Sequence, residues 1–81
     1  MKLSVLLFSA AREIAGRDSV ELNLPEAATV AQTRTALLQS LPALAAWNGI
    51  LLWAVNHDYA SDDRVLHGTD VVACFPPVSG G

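Results

Sequence analysis

A single stretch of this chain carries the apolar spacing of a long helix, and that stretch most constrains the fold. It lies between Pro25 and Pro42, and Thr29 with Gln32 three residues later has the spacing of a capping box. Pro42 ends this helix or kinks it into residues 43–47. The apolar positions fall at i, i+7, i+8 and i+11 on one stripe: Val30, Leu37, Leu38 and Leu41. The coarse pattern of this 81-residue chain is therefore strand, turn, strand, helix and further strands.

The remaining apolar segments have the features of β-strands. Residues 2–8 are rich in leucine and valine, and residues 19–24 alternate, with Val20 and Leu22 on the face opposite Glu21. Between these two strands, which we expect to pair antiparallel, Ser9 opens and Gly16 closes a helical turn or two. Beyond the helix we expect strands at residues 50–55 and 71–75, with a short one at residues 59–60.

This order of elements predicts an α+β fold. A helix placed between the first hairpin and the later strands lets the last strand lie parallel beside the first, which is the β-grasp arrangement of ubiquitin-like domains. We therefore expect a mixed sheet of four to five strands with one main helix packed on one face. We expect residues 1–75 to form this single domain and residues 76–81 to form a flexible C-terminal Gly-Gly tail.

The central strands are apolar at both odd and even positions, although one helix covers only one face of a sheet. Some of the following side chains should therefore be exposed: Leu6, Phe8, Leu52, Val72 and Cys74. Contiguous exposed apolar surface usually marks an interaction site, which favours a protein partner. The alternative is that loops and the segment around Trp47 cover this face.

Composition excludes several classes of function. The net charge is −3 and the five basic residues are scattered, so we expect no nucleic acid partner. Cys74 is the only cysteine, which fits a reducing compartment and predicts a cytoplasmic protein. No apolar run approaches the ~20 residues of a membrane span, so we expect no membrane partner. We interpret the run after Lys2 as the first strand and not as a signal peptide.

The chain ends in FPPVSGG, in which two prolines stiffen the backbone and two glycines leave its tip without side chains. Six residues from Pro76 onward could project roughly 20 Å from the domain. The reacting group would be the α-carboxylate of Gly81, which is inert until it is joined to a nucleotide as a mixed anhydride. A partner would have to supply ATP, a metal ion and catalytic residues. A merely disordered end accounts for this segment equally well.

Other reactive side chains give weaker signals. Cys74 has apolar neighbours, where a free cysteine usually acts as a small hydrophobe. His57 and His67 lie ten residues apart in turn-rich segments with aspartates nearby, but without recognised metal-ligand spacing. The sequence assigns no role to these three residues.

Four segments carry a resemblance to a known family: AREIAG after the first strand, LLWAVN, the turn HGTD and the ending FPPVSGG. Over nearly its whole length the chain resembles the small subunits of molybdopterin synthase, in the MoaD/ThiS family of sulfur carriers. The ending is the specific part of the match, because the other segments indicate only a β-grasp domain.

The resemblance implies that this chain is a consumed sulfur donor and that a partner provides the catalytic pocket. In this family an E1-like adenylyltransferase uses Mg-ATP to join AMP to the C-terminal carboxylate. A persulfide sulfur, delivered by a sulfurtransferase or cysteine desulfurase, then displaces AMP and leaves a thiocarboxylate. The tail enters the large synthase subunit, where sulfur passes to cyclic pyranopterin monophosphate. The resemblance also implies a heterotetramer, and no cofactor bound by this chain itself.

Carried onto this sequence, the resemblance makes Gly81 the sulfur-bearing residue, Gly80 the spacer before it and Phe8 part of the docking face. Arg12 in AREIAG matches the family motif, and its role is a partner contact or the capping of a turn. Ser79 stands where the family often has threonine. The inserted segment comprises Phe75, Pro76, Pro77, Val78 and Ser79.

Three alternatives remain, and the last two belong to other classes of protein. The first is a sulfur carrier of another pathway, such as thiamine thiazole synthesis, tRNA thiolation or protein conjugation, although FPPV before the tip favours molybdopterin synthase. The second is a β-grasp binding module without covalent chemistry, for which the terminal glycines would be dispensable. A stand-alone enzyme would depend on Cys74 or the two histidines.

Overall fold

The computed structural model describes residues 1–77 of the chain. Its elements follow the predicted order and are, along the chain, β1 (Lys2–Leu7), α1 (Ser9–Ala15), β2 (Ser19–Asn23), α2 (Val30–Ser40), a 3-10 helix (Pro42–Trp47), β3 (Leu52–Val55), β4 (Asp58–Tyr59) and β5 (Val72–Phe75). No helix within these described residues is long and apolar enough to cross a membrane.

The five strands form one mixed sheet in the order β2-β1-β5-β3-β4. The strand β1 pairs antiparallel with β2 and parallel with β5, so the predicted β-grasp topology is confirmed. The strand β5 in turn pairs antiparallel with β3, and β3 pairs antiparallel with β4. Strand boundaries differ from the prediction by one or two residues, since β3 begins at Leu52 and β4 ends at Tyr59.

The capping box predicted at the start of α2 is present. The backbone N–H of Gln32 donates to Oγ1 of Thr29 at 3.3 Å, and the backbone N–H of Thr29 donates to Oε1 of Gln32 at 2.8 Å. Val30 and Ala31 are the first two residues of α2. Their backbone N–H groups donate to the carbonyls of residues 64 and 62, respectively, at 3.0 Å each. These bonds satisfy the donors that a helix start leaves free, and they attach α2 to the loop before β5.

An ion pair between α2 and this loop strengthens the attachment. The guanidinium of Arg34 donates to both carboxylate oxygens of Asp62, at 2.6 and 2.9 Å. These hydrogen bonds lower the pKa of Asp62. Two parallel hydrogen bonds fix the direction of both side chains, so the loop is held on one side of the helix.

The segment after α2 packs against the core. Pro42 occupies the first turn of the 3-10 helix, where its missing N–H costs no hydrogen bond. Leu44 is fully buried and Trp47 packs against the buried cluster. The alternative in which this segment covers the opposite face of the sheet is therefore wrong.

The core lies between the sheet and α2, whose Val30, Thr33 and Leu37 are fully buried. Strand register aligns two inner rows of the sheet: Val5, Val72 and Val55, then Leu7, Cys74 and Trp53. The expectation that Val72 and Cys74 belong to the exposed face is thus wrong, because both pair with inward-facing residues of β1 and have no exposed surface. Leu6, Phe8 and Leu52 do lie on the less buried face.

The short helix α1 reverses the chain between β1 and β2. It ends at Gly16, whose φ of +71° lies in the left-handed region and whose N–H donates to the carbonyl of Arg12 at 2.9 Å. Glycine adopts this conformation without the steric penalty of a side chain, as the sequence predicted. Ala11 is buried, so this helix also belongs to the core side.

The capping box should be worth about 1 kcal/mol to the free energy of unfolding. We expect Thr29→Ala to lower that free energy by this amount, because it leaves the N–H of Gln32 without its acceptor. Thr35→Ala is the matched control. The hydroxyl of Thr35 only bonds the carbonyl of Ala31 within the helix, so its loss should be neutral or slightly stabilising. Urea unfolding of both variants measures the difference, and equal losses would contradict this assignment.

Candidate functional site

The face of the sheet opposite α2 carries a row of outward side chains that crosses four strands. Register pairs Leu6 of β1 with Ala73 of β5, Ala73 with Ala54 of β3, and Ala54 with Tyr59 of β4. The two central members are alanines and the two outer members are large. A row with small side chains at its centre leaves a depression in the surface.

That depression is a cavity of about 290 Å³. Its lining consists of Phe8, Ala54, His57, Tyr59, Ala73 and Phe75. The alanines come from adjacent strands in the middle of the sheet, so the larger side chains must form its rim. The cavity is mostly apolar and open to solvent.

Two aromatic residues at this cavity are unusually exposed for their type. Phe8 is 47% exposed and Tyr59 is 76% exposed. The rings of Tyr59 and Phe75 contact each other, with centroids 6.1 Å apart and planes inclined by 53°. Tilted pairs of this kind are favourable and fix the ring orientations. The aromatic surface at the cavity is thus exposed, with the rings of Tyr59 and Phe75 held in a fixed orientation.

The turn that carries His57 is fixed by its backbone and by a side-chain network. Asn56 and His57 have φ values of +52° and +74°, which is the pattern of a two-residue hairpin turn. Oδ1 of Asn56 accepts the N–H of Val71 at 2.9 Å, and its Nδ2 donates to Asp70 at 3.0 Å. The turn is thereby bound to the two residues that precede β5, so the rim of the cavity keeps its position.

Phe75 connects this site to the C-terminal segment. Beside it, the N–H of Phe8 donates to the carbonyl of Cys74 at 3.3 Å, so β1 and β5 stay together to the end of the strand. Pro76 is buried and Pro77 is exposed. Four residues of the predicted site, Val78, Ser79, Gly80 and Gly81, lie outside the described residues. The exposed chain that leads to them begins beside the cavity.

Arg12 is exposed on α1 and does not line the cavity. Its Nε lies 3.9 Å from a carboxylate oxygen of Asp18, and both side chains are largely exposed. Such a pair contributes little to stability in water. The structure thus brings Phe8 and Phe75 together and leaves Arg12 apart, and its partner contact stays a prediction.

The side chains weighed for independent chemistry do not form a second site. Burial raises the pKa of the Cys74 thiol to about 12, so the nucleophilic thiolate is disfavoured. His57 and His67 are exposed. Within residues 1–77 no three side chains of the types His, Cys, Asp or Glu are grouped closely enough to hold a metal ion.

Sequence reasoning missed Ala54, Ala73 and Tyr59 as parts of the site. Ala54 alternates with Trp53 and Val55, and its position beside the expected outer residue Leu52 gave no sign that it meets Ala73. Ala73 was missed because its neighbours Val72 and Cys74 had been assigned to the outer face. Tyr59 was assigned only to a short strand. The signal that could have found the site is a pair of small residues flanked by aromatics in neighbouring strands.

The strand order, the single long helix and the open apolar face define a ubiquitin-like β-grasp domain. Among solved structures, the crystal structure of SAMP1 from Haloferax volcanii superposes with a TM-score of 0.88 at 29% identity and covers 100% of both chains. Subunit 1 in the complex of subunits 1 and 2 of the molybdopterin-converting factor from Helicobacter pylori covers 100% of both chains with a TM-score of 0.72, and at 23% identity it shows the fold alone.

The chain belongs to the ThiS family, whose model matches residues 5–81. A curated relative, the molybdopterin synthase sulfur carrier subunit of Escherichia coli K12, is 40% identical over 98% of this chain and 99% of its own length. The corresponding protein of Arabidopsis thaliana is 31% identical over 100% of this chain and 84% of its own length. The predicted membership of the MoaD/ThiS family is confirmed.

The Asp70 carboxylate should make the hairpin turn sensitive to acid. Its hydrogen bonds from the N–H of His67 and from Asn56 lower its pKa below the ordinary 3.8. The resulting stabilisation is present above that ordinary value and is lost as the pH falls through the folded pKa. We expect Asp70→Asn to unfold more easily at neutral pH, and its stability to fall less than that of the unmodified chain between pH 4 and pH 2. Thermal unfolding across this range tests it, and parallel pH profiles would contradict it.

Proposed function

We propose that this chain is the sulfur carrier subunit of a molybdopterin synthase. The observation that carries the proposal is the family match, which extends through residue 81. Relatives named molybdopterin synthase sulfur carrier subunit also align with this chain over nearly their whole length. The matched region includes the terminal Gly-Gly, which carries the carboxylate that reacts in this proposal. The free, buried thiol of Cys74 supports a cytoplasmic location.

The reacting group in this proposal is the carboxylate of Gly81. An adenylyltransferase joins it to AMP, with ATP and Mg²⁺ bound by that partner. A persulfide from a sulfurtransferase or cysteine desulfurase attacks the acyl carbon and displaces AMP, which leaves an acyl disulfide. A second thiolate supplied by a partner then attacks the sulfur of the donor cysteine, so a disulfide forms and the thiocarboxylate is released. Sulfur then passes to cyclic pyranopterin monophosphate in the large subunit, where it becomes part of the dithiolene. This chain supplies no catalytic side chain and is consumed as a donor in each cycle.

The outer-face cavity is the docking site for the partner in this proposal. Four residues beyond Pro77 reach at most ~14 Å, so any protein that receives Gly81 must stand close to the end of β5. The cavity lies at that end, with Phe75 in its lining. A partner can therefore bind the aromatic rim and the tail at the same time.

The chemistry of the cavity predicts what the partner inserts. Its base is formed by Ala54 and Ala73, and aromatic rings surround them. A branched aliphatic or aromatic side chain would fill this space and remove the exposed surface of Phe8 from water. Burying one such side chain contributes about 1.5–3 kcal/mol.

A second candidate function is protein modification. It is favoured by the likeness to SAMP1 over 100% of both chains, since a further solved structure of 27% identity is named H. volcanii small archaeal modifier protein 1. Both functions require an activated Gly81, and they differ in the acceptor. Sulfur on Gly81 indicates a sulfur carrier, whereas an isopeptide bond to other proteins indicates a modifier.

Intact-mass spectrometry tests the carrier function directly. The chain is incubated with the adenylating partner, Mg-ATP and a sulfur donor, and fragmentation assigns the site of the change. We expect one oxygen of Gly81 to be replaced by sulfur. Deletion of Gly81 should abolish this product and barely change the melting temperature, because the last residue of a chain usually contributes little packing. An unmodified Gly81, with a partner active on another carrier, would refute the proposal.

Filling the cavity tests the docking site. We expect Ala73→Leu to weaken binding of the large subunit at least about tenfold, or roughly 1.4 kcal/mol, because its side chain occupies the space meant for the partner. Ser4→Leu is the matched control, since Ser4 is exposed on the same face of β1 but outside the cavity. Calorimetric titration measures both affinities, and circular dichroism checks the fold. Equal affinities for the two variants would contradict this docking mode.

A further inference from the structure

His57 occupies a position in the turn between β3 and β4 that favours glycine. Val55 pairs with Asp58, so Asn56 and His57 are the whole loop of this hairpin. Both loop residues have positive φ, +52° and +74°. Such a turn favours Asn followed by Gly, because a side chain at positive φ crowds the backbone and glycine has none. The chain therefore carries an imidazole at a position where glycine would strain the backbone less.

The hydrogen bonds that fix this turn come from a neighbour of His57 and not from the imidazole. The side chain of Asn56 accepts the N–H of Val71 and donates to Asp70. His57 is exposed, so its ring nitrogens face water in the free chain. A side chain that strains the backbone and that the turn does not need is a candidate for contact with another molecule.

The position of His57 in the outer-face cavity shows which contact this is. It lines the cavity with two alanines and three aromatic residues. An apolar pocket discriminates weakly between partner side chains of similar size, whereas a hydrogen-bonding group rejects a partner that leaves it buried and unpaired. Tyr59 carries the other polar side-chain group of the lining, but it lies on a strand, where a side chain does not strain the backbone. Cavity and backbone thus single out His57.

The energetics of desolvation indicate what the partner brings to the imidazole. A charged group buried beside an apolar cavity loses its water at a high cost in free energy. A backbone carbonyl is neutral and adjoins every side chain, so the segment that fills the cavity carries such an acceptor with it. A neutral imidazole has one N–H to donate.

We propose that His57 is a specificity-determining residue of the carrier, and that its imidazole N–H donates to a backbone carbonyl of the partner segment that fills the cavity. This inference rests on the proposed function, because the partner is the large subunit that receives Gly81. The apolar side chain of the segment buries surface, and the carbonyl fixes its position. A protein without a carbonyl at that place would leave the N–H unpaired in the interface and bind less tightly.

Three variants of the full-length chain separate the backbone effect from the contact. His57→Gly removes the imidazole together with the crowding at positive φ. Ala27→Gly is the matched control, because Ala27 has a φ of +60° and is exposed in the turn before α2 but does not line the cavity. His57→Gln keeps a side-chain N–H donor. Thermal unfolding measures stability, and calorimetric titration measures affinity for the large subunit.

We expect both glycine variants to raise the melting temperature by about 4 °C, since glycine adopts positive φ without crowding the backbone. His57→Gly should nevertheless bind the large subunit about tenfold more weakly than the unmodified chain. Ala27→Gly should bind as the unmodified chain does, and His57→Gln should stay within about threefold of it. Higher stability together with weaker binding therefore distinguishes a contact residue from a structural one.

Three results would overturn the inference while the docking site stands, as shown by weaker binding of Ala73→Leu. They are unchanged affinity of His57→Gly, a lower melting temperature of His57→Gly, and binding of His57→Gln as weak as that of His57→Gly. Unchanged affinity of both Ala73→Leu and His57→Gly would overturn the docking site and this inference together. The mass-spectrometric test of Gly81 uses none of these variants, so the carrier function is tested separately.

Discussion

The parallel pairing of β1 with β5 is the interaction on which the other features depend. It brings the first and last strands together in the interior of the sheet, with Val5 beside Val72 and Leu7 beside Cys74. Parallel neighbours need a long crossover between them, and here β2, α2 and the later strands form that crossover. The pairing decides which side chains face α2, and it puts the end of β5 next to Phe8. The core and the outer face with its cavity are thus two consequences of one register.

The helix and the topology could be predicted from the sequence because their signals are local. Thr29 and Gln32 mark the start of α2 by their own hydrogen bonds, and Gly16 marks the end of α1 by its backbone conformation. Both signals involve residues a few positions apart, where covalent geometry limits the possibilities. The alternation in β2 likewise placed Val20 and Leu22 inside, as observed.

Which side chains of the central strands point toward the core could not be predicted in the same way. The strand β5 is apolar at every position, so alternation does not distinguish its inner from its outer face. A shift of one residue exchanges the two faces, and the register that decides between them depends on β1, more than sixty residues away in sequence. This is why Val72 and Cys74 were assigned to the wrong face. The cavity was missed for the same reason, because Ala54 and Ala73 meet only through the pairing of β3 with β5.

Burial of Cys74 also bears on the handling of sulfur by such a protein. Persulfides and disulfides exchange with any thiolate that they can reach, and exchange requires both access and ionisation. Cys74 stands seven residues before Gly81 but is enclosed by the core, and its pKa is raised to about 12. A sulfur atom brought to this end of the molecule therefore meets no competing thiol of the carrier. The same packing that completes the inner row of the sheet therefore protects the Cys74 thiol from mixed disulfide formation.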